Sequence, residues 1–167
     1  MSLFLVLLAA GDGKRLKSRL PKPFNKVNNK TLLEHALGSF SNFPEIRKNV
    51  VVYNKKHKKF LNNCKLNNSI KITGGKNRQE STFKALKKIK NMGCKKVLIH
   101  DAARPAPSKN LIKRIINGLK KNHAVVPAIK ISDATKRVNK NIIFKNIQRG
   151  NLRFAQTPQG FTFKKIY

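Results

Sequence analysis

The chain has 167 residues, enough for one domain with a hydrophobic core, and it contains no apolar run long enough to cross a bilayer. Its 38 lysines and arginines against 6 acidic residues give a net charge of +32, and these cations occur in nearly every segment. The N-terminus lacks a signal-peptide pattern and the two cysteines stand alone, which predicts a cytoplasmic protein with reduced thiols and excludes the disulfide-rich secreted class.

Apolar runs and amphipathic stretches alternate along the chain, and this alternation predicts strands followed by helices. The predicted strands cover residues 3–8, 49–53, 70–73, 97–100 and 124–129. The predicted helices cover residues 31–40, 55–63, 78–92 and 110–121. This order of elements is typical of an α/β fold, in which a mainly parallel sheet is covered by helices on both faces.

Three of the predicted helices carry local signals. Thr31 and Glu34 have the spacing of a capping box at the start of the first helix. Apolar residues at helical spacing between 111 and 119 form a stripe on the last helix. The third helix has an apolar face made of Phe83, Leu86 and Ile89.

From residue 132 the pattern changes from strand–helix alternation to a hairpin. Residues 138–142, Val-Asn-Lys-Asn-Ile, are typical of two strands joined by a polar turn. We interpret a hairpin that projects from an α/β domain as a protruding arm or an edge flap.

The most informative segment is the loop after the first strand, where Ala9 and Ala10 lead into Gly11 and Gly13. Glycines lack a Cβ atom, so backbone amides here can approach an anion closely. Cations that can supply charge to a triphosphate follow at Lys14, Arg15 and Lys22. The segment matches neither a Walker A loop nor a dinucleotide fingerprint. The alternative is an ordinary turn with solvated lysines.

Two further segments follow predicted strands, at the ends where ligands bind in doubly wound sheets. In the segment from Gly74 to Ser81, glycines permit close approach and Ser81 can read a base edge; the alternative is a capped turn. Asp101 emerges after the strand at 97–100, where a carboxylate can bind Mg²⁺ together with phosphates; the alternative is a cap on the next loop. A polar turn at 155–161 has no evident structural purpose.

These segments together resemble one family, the 2-C-methyl-D-erythritol 4-phosphate cytidylyltransferases of the non-mevalonate isoprenoid pathway. The matching strings are Ala9-Ala10-Gly11-x-Gly13-x-Arg15, Pro21-Lys22, Leu32-Leu33-Glu34-His35, Gly74-Gly75-x-x-Arg78-x-x-Ser81, His100-Asp101-Ala102-Ala103-Arg104-Pro105, Asp133-x-x-Lys136-Arg137 and Thr157-Pro158-Gln159. The strings at 100–105 and 157–159 are the most specific, because many nucleotidyltransferases share the first. The resemblance implies a Rossmann-like nucleotidyltransferase sheet with helices on both faces and a protruding β-arm.

The resemblance also implies a reaction, in which the phosphate of methylerythritol phosphate attacks the α-phosphorus of CTP and pyrophosphate leaves, with Mg²⁺ as cofactor. The implied catalytic residues are Arg15, Lys22 and Arg149, and the implied metal ligand is Asp101. The implied CTP-binding residues are Ala9, Ala10, Gly11, Gly13, Gly75, Arg78 and Ser81. The implied substrate-binding residues are Arg104, Thr157 and Thr135, with Arg149 also beside the substrate phosphate. In the family the arm comes from the second subunit, so residues 132–149 imply a homodimer.

Three departures from the family pattern leave alternatives open. Asp133 is followed by Ala134, with Thr135 one place late, and the order Arg149-Gly150-Asn151 differs from the family's Arg-Asn-Gly. The chain stops at Tyr167, so we expect a single nucleotidyltransferase domain, 1–167, that is C-terminally incomplete. The alternatives are another sugar- or polyol-phosphate cytidylyltransferase, an inactive truncated remnant, and a basic nucleic-acid-binding module. Dispersed cations, 2 tyrosines and no tryptophan argue against the last.

Overall fold

The computed structural model describes residues 2–11, 13, 20–66 and 68–167. The strands are β1 (Leu3–Ala9), β2 (Lys26–Val27), β3 (Lys30–Thr31), β4 (Ile46–Tyr53), β5 (Ile70–Thr73), β6 (Lys96–Asp101), β7 (Ala124–Val125), β8 (Ala128–Lys130), β9 (Thr135–Asn139), β10 (Ile142–Ile147), β11 (Arg153–Ala155) and β12 (Gln159–Thr162). The α-helices are α1 (Leu32–Gly38), α2 (Lys58–Asn62), α3 (Arg78–Ile89), α4 (Lys109–Lys121) and α5 (Phe163–Ile166). Short 3-10 helices cover Lys22–Phe24, Lys55–His57 and Arg149–Asn151. No helix in the described part of the chain is long and apolar enough to span a membrane.

A six-stranded sheet forms the centre of the described structure, in the order β5-β4-β1-β6-β12-β7. Strands β5, β4, β1 and β6 pair in parallel, whereas β12 runs antiparallel to both of its neighbours, β6 and β7. The parallel strands therefore end at one edge of the sheet, and the loops that follow β1, β5 and β6 meet there. The predicted α/β class with a mainly parallel sheet is confirmed.

The central strand β1 is apolar throughout because both of its faces are covered. Its residues Leu3, Leu5, Leu7 and Ala9 face one core, which α1 and α4 complete. Its residues Phe4 and Val6 face the other core, which α3 and the segment around Phe163 complete. Alternation of side chains along a strand thus divides one apolar run between two hydrophobic layers.

Most of the predicted elements are confirmed, and one is wrong. The capping box between Thr31 and Glu34 is present, with Glu34 accepting hydrogen bonds from the backbone N–H and the hydroxyl of Thr31. The single strand predicted at 124–129 is instead two short strands in different sheets, because Pro127 has no N–H for a continuous ladder. Phe83, predicted on the apolar face of its helix, is 48% exposed and stacks on Tyr167.

Strands β9 and β10 form the predicted hairpin and pair only with each other in the described structure. Lys140 and Asn141 join them with φ of +44° and +70°, as a tight turn that follows the twist of the strands requires. The hairpin exposes large apolar side chains, namely Val138, Ile142, Ile143 and Phe144. A two-stranded ribbon of this kind is only marginally stable in water by itself.

Candidate active site

A cavity of about 730 Å³ opens at the carboxyl ends of β1 and β6, beside the loop that leads into α3. This edge is where doubly wound folds bind their ligands. The small residues of the described lining include Ala10, Gly11, Gly75, Ser81 and Ala103. The charged residues of the described lining are Lys22, Lys76, Arg78, Arg104 and Asp101. The described lining of the cavity is therefore strongly cationic and contains one carboxylate.

The two glycines before α3 let this loop approach the end of β1. A Cβ atom added to Gly74 would lie 2.6 Å from Cβ of Ala10 and 2.9 Å from Oγ of Ser81. A Cβ atom added to Gly75 would lie 2.4 Å from Cγ and Cδ of Glu80. Neither position therefore has room for a side chain while its neighbours keep their places.

Side chains from the first turn of α3 hold the same loop from behind. Ser81 is buried, and its hydroxyl oxygen accepts a hydrogen bond from the Gly75 N–H at 3.0 Å. The Glu80 carboxylate accepts from the Lys76 N–H at 2.8 Å and pairs with Lys84 at 3.3 Å. These contacts, the Lys76 hydrogen bond first, lower the pKa of Glu80. The predicted base-reading Ser81 thus also supports the loop.

The glycine loop after β1 is described only in part. Gly13 has φ of +65°, and a Cβ atom there would lie 3.0 Å from Cβ of Lys22. Glycine is required by this backbone conformation and lets the loop reach Lys22, which begins a short 3-10 helix after Pro21. Arg15, predicted as a catalytic cation, lies outside the described residues.

Asp101, the last residue of β6, is held between two arginines. Its Oδ1 lies 3.2 Å from Nε of Arg78, and its Oδ2 lies 3.4 Å from Nε of Arg104. The arginine side chains are 50% and 51% exposed, so each pair contributes at most about 1 kcal/mol and can be exchanged for ligand contacts. The described residues contain no cluster of three metal-ligating side chains. A lone carboxylate nevertheless fits Mg²⁺, which commonly binds one protein carboxylate together with substrate phosphates.

Below Asp101, His100 and Thr157 form a buried polar contact. His100 is fully buried, with Nδ1 at 2.8 Å from Oγ1 of Thr157 and Nε2 at 2.8 Å from the carbonyl oxygen of Arg104. Burial lowers the pKa of His100. Thr157, predicted to bind substrate, directs its hydroxyl at His100 and also accepts from the Asp101 N–H at 3.4 Å. Sequence reasoning gave His100 no role, although a histidine among the apolar residues of a buried strand is a detectable signal.

Eight of the predicted site residues line the cavity, whereas five described ones do not, namely Ala9, Gly13, Thr135, Arg149 and Thr157. Ala9 is fully buried in β1, backbone included. Thr135 begins β9, and Arg149 donates a hydrogen bond to the Ser132 carbonyl at the base of the arm. Neither Thr135 nor Arg149 is among the described residues that line the cavity. One chain alone therefore does not bring these two side chains to the cavity.

A cation-lined pocket at the strand ends of a Rossmann-like sheet, entered by a glycine loop that lacks the Walker A pattern, is typical of the nucleotidyltransferase class. The family model of IspD, 2-C-methyl-D-erythritol 4-phosphate cytidylyltransferase, matches residues 3–167. The chain belongs to this family, whose members are cytidylyltransferases.

Curated relatives fall into two groups by length. The bifunctional enzyme IspD/IspF of Pelagibacter ubique is 42% identical over 167 residues, which are 100% of this chain and 45% of the relative. The 2-C-methyl-D-erythritol 4-phosphate cytidylyltransferase of Thermosipho melanesiensis is 37% identical, over 97% of this chain and 74% of the relative. The chain thus spans less than half of the bifunctional relative.

Solved structures agree with the fold. The bifunctional IspDF of Campylobacter jejuni superimposes with a TM-score of 0.84 at 32% identity, over 98% of this chain and 42% of that one. The 2-C-methyl-D-erythritol 4-phosphate cytidylyltransferase of Francisella tularensis gives a TM-score of 0.80 at 31% identity, over 98% of this chain and 73% of that one.

Proposed function

We propose that this chain transfers the cytidylyl group of CTP to 2-C-methyl-D-erythritol 4-phosphate, for isoprenoid precursor biosynthesis. A phosphate oxygen of the acceptor attacks the α-phosphorus of CTP, and the bond from that phosphorus to the bridging oxygen breaks. The products are 4-diphosphocytidyl-2-C-methyl-D-erythritol and pyrophosphate. Family membership and the charge pattern of the cavity support this reaction.

The single observation that carries the proposal is the grouping of cations around one carboxylate. Lys22, Lys76, Arg78 and Arg104 line the cavity with Asp101. A nucleoside triphosphate and an acceptor phosphate together bring about six negative charges, which these four cations partly offset. Guanidinium groups suit phosphate oxygens because they offer paired donors in a fixed plane.

Lys22 is the described candidate for stabilising the transition state. Its short helix follows the glycine loop, Gly13 lies close to its Cβ atom, and Lys22 lines the cavity. Phosphoryl-type transfer depends mainly on alignment and charge stabilisation, which a fixed cation supplies. Arg15 has the same role in this proposal, on the strength of its place in the motif.

The loops at Ala10 and Gly75 form the proposed cytosine pocket. A slot formed by backbone groups and small side chains excludes larger purine bases by size and leaves backbone amides and carbonyls to recognise the pyrimidine edge. Ser81 and Glu80 hold these backbone groups in place through Gly75 and Lys76. Specificity for CTP then depends on the precise separation of the two loops.

Mg²⁺ is the proposed cofactor, with Asp101 as its protein ligand. The ion would neutralise charge on the triphosphate when bound. Arg78 and Arg104 both pair with the Asp101 carboxylate in the described structure, so Asp101 would hold the ion at the cost of at least one ion pair, and the guanidinium released would be available to a phosphate. Asp101 thus couples the metal to the substrate-binding arginines.

A homodimer through the arm, residues 132–149, completes the proposed site. The hairpin exposes Ile142, Ile143 and Phe144 by 70%, 60% and 57%, and a second copy of the chain can cover them. The same association would bring Arg149 and Thr135 to the cavity of the other subunit. A cytoplasmic location is proposed with it, since Cys64 and Cys94 are free thiols.

Nucleotide specificity tests the proposal. Titration of the intact protein with CTP, UTP, ATP and GTP in the presence of Mg²⁺ should show the tightest binding for CTP. Methylerythritol phosphate should then release pyrophosphate only from CTP, while erythritol 4-phosphate and ribitol 5-phosphate should be poor acceptors. Equal binding of all four nucleotides contradicts the base pocket, and preference for a different polyol phosphate selects the related cytidylyltransferase instead.

A further inference from the structure

His100 connects the two most specific strings of the sequence through both of its ring nitrogens. It is fully buried in β6, after the apolar residues 97–99 and directly before Asp101. Nε2 lies 2.8 Å from the Arg104 carbonyl oxygen, and Nδ1 lies 2.8 Å from Oγ1 of Thr157. The imidazole therefore links the two ends of the loop 101–104 with the turn at residue 157.

The partners determine which nitrogen carries the proton. A carbonyl oxygen only accepts hydrogen bonds, so Nε2 must donate to Arg104. In a neutral ring Nδ1 then accepts, and the Thr157 hydroxyl is its donor. The Thr157 oxygen remains free to accept from the Asp101 N–H at 3.4 Å. Every donor in this chain of contacts meets an acceptor, in one direction from Asp101 through Thr157 and His100 to Arg104.

The ring is also packed against an aromatic side chain of the core. Phe40 meets it edge-on, with 5.3 Å between ring centroids and 63° between the planes. Beside it, the Ser39 hydroxyl donates to the Pro105 carbonyl at 3.0 Å, so the end of α1 also fixes the loop after Arg104. A rigid imidazole therefore sets the spacing between the Asp101 backbone and the Arg104 backbone.

We propose that His100 is a positioning residue, whose Nε2–H contact with the Arg104 carbonyl and Nδ1 contact with Thr157 hold Asp101 and Arg104 at the separation that the proposed transfer reaction needs. Thr157 connects the Asp101 N–H to the His100 ring, because its hydroxyl group contacts both. This inference rests on the proposed function for its kinetic consequence but not for its structural content. It also gives a physical purpose to the polar turn at 155–161: the turn delivers a hydroxyl to Nδ1.

Substitutions of His100 that each keep one of its two hydrogen bonds test the two contacts separately. In His100→Gln the side-chain amide can still donate toward Arg104, and in His100→Asn the amide can still meet Thr157. We expect each variant to raise KM for the acceptor and lower kcat, with a combined loss in kcat/KM of about tenfold to a hundredfold, because small misplacements of reacting groups have effects of that size. His35→Gln is the matched control, since His35 also contacts a backbone carbonyl, Val27, at 2.8 Å, but does not line the cavity.

Thr157 provides a conservative rescue. Thr157→Val keeps the shape and removes the hydroxyl, whereas Thr157→Ser keeps the hydroxyl, so Ser should restore kcat/KM to within about threefold and Val should not. The folded fraction of each variant is measured by circular dichroism under assay conditions. A loss of kcat that only follows the folded fraction, with the KM values for CTP and for the acceptor unchanged, overturns the positioning role. Equal kcat/KM values for Thr157→Val and Thr157→Ser also overturn it.

The tautomer is measured independently of any activity. Long-range ¹H–¹⁵N spectra of the intact protein, assigned by comparison with His100→Gln, should show a proton on Nε2 of His100. A ring that carries its proton on Nδ1 alone overturns the inference. If the wild-type protein proves to transfer no cytidylyl group, the proposed function fails, while this spectrum still decides the hydrogen-bond network.

Discussion

Gly74→Ala should disturb the proposed base pocket without adding or removing a polar group. The new Cβ atom would lie 2.6 Å from Cβ of Ala10, 2.9 Å from Oγ of Ser81 and 3.3 Å from Cγ1 of Val52. Carbon atoms pack at about 3.5–4.0 Å, so the loop before α3 must move about 1 Å away from the end of β1. The Ala10 methyl group is attached directly to the backbone and cannot rotate out of the way.

The expected magnitude has two parts. Overpacking of this kind costs about 1–3 kcal/mol in the free energy of unfolding. For a chain of this length that corresponds to a decrease of roughly 2–4 °C in Tm per kcal/mol. A displacement of about 1 Å at the base pocket should reduce kcat/KM for CTP by up to about a hundredfold.

The assay compares the wild type, Gly74→Ala and Gly38→Ala by calorimetric titration with CTP, by thermal unfolding and by pyrophosphate release. Gly38 is the matched control, because a Cβ atom there meets nothing within 4 Å and the residue lies at the end of α1, outside the cavity lining. Weaker CTP binding in Gly74→Ala alone is the expected result. Unchanged CTP affinity in Gly74→Ala, despite a lower Tm, would refute the reasoning that the separation of these two loops shapes the site.

Three further predictions follow from other parts of the molecule. Lys22→Ala should lower kcat by about a hundredfold or more with little change in the Kd for CTP. Lys26→Ala is the charge-matched control, because Lys26 is exposed and lies outside the described lining of the cavity. Weaker CTP binding without a loss of kcat would contradict the transition-state role of Lys22. Ile143→Lys in the arm should shift the protein from dimer to monomer in sedimentation velocity, and a wild-type monomer at micromolar concentration would contradict the proposed association. Burial raises the pKa of the Cys94 thiol to about 12 from 9.0, so the native thiol should resist Ellman's reagent at pH 8 and react after unfolding. The thiol ionises at a lower pH in the unfolded chain than in the folded one, so the contribution of Cys94 should lower the free energy of unfolding as the pH rises from about 9 toward 12. Fast labelling of Cys94 in the native protein would contradict its burial.

The sequence predicts the elements whose signals are local. The apolar run of β1, the capping box at Thr31 and the stripe on α4 each depend on neighbours a few residues away, and all three are present. The strand predicted at 124–129 is wrong because Pro127 interrupts the ladder, and the two short strands that result pair with different partners far along the chain, β12 and β11. Local pattern gives no information about such partners.

The same distinction applies to the site. The glycine loops and Asp101 could be located from residue types, because close approach and metal binding limit which residues are usable. The contact of His100 with Thr157 joins residues 57 positions apart, and the pairing of Asp101 with Arg78 joins residues 23 apart. These contacts depend on how α3 and the 157 turn pack on β6, so a list of motif residues does not contain them.

The ³¹P NMR spectrum of a reaction mixture tests the central claim most directly. The intact protein is incubated with CTP, methylerythritol phosphate and Mg²⁺, and the phosphorus signals are followed with time. The proposal predicts that the signals of CTP and of the acceptor monoester decline together, while pyrophosphate and a new pair of coupled diphosphate resonances appear in equal amounts. Release of inorganic phosphate or CMP without the new diphosphate, or equal conversion with UTP in place of CTP, would contradict it.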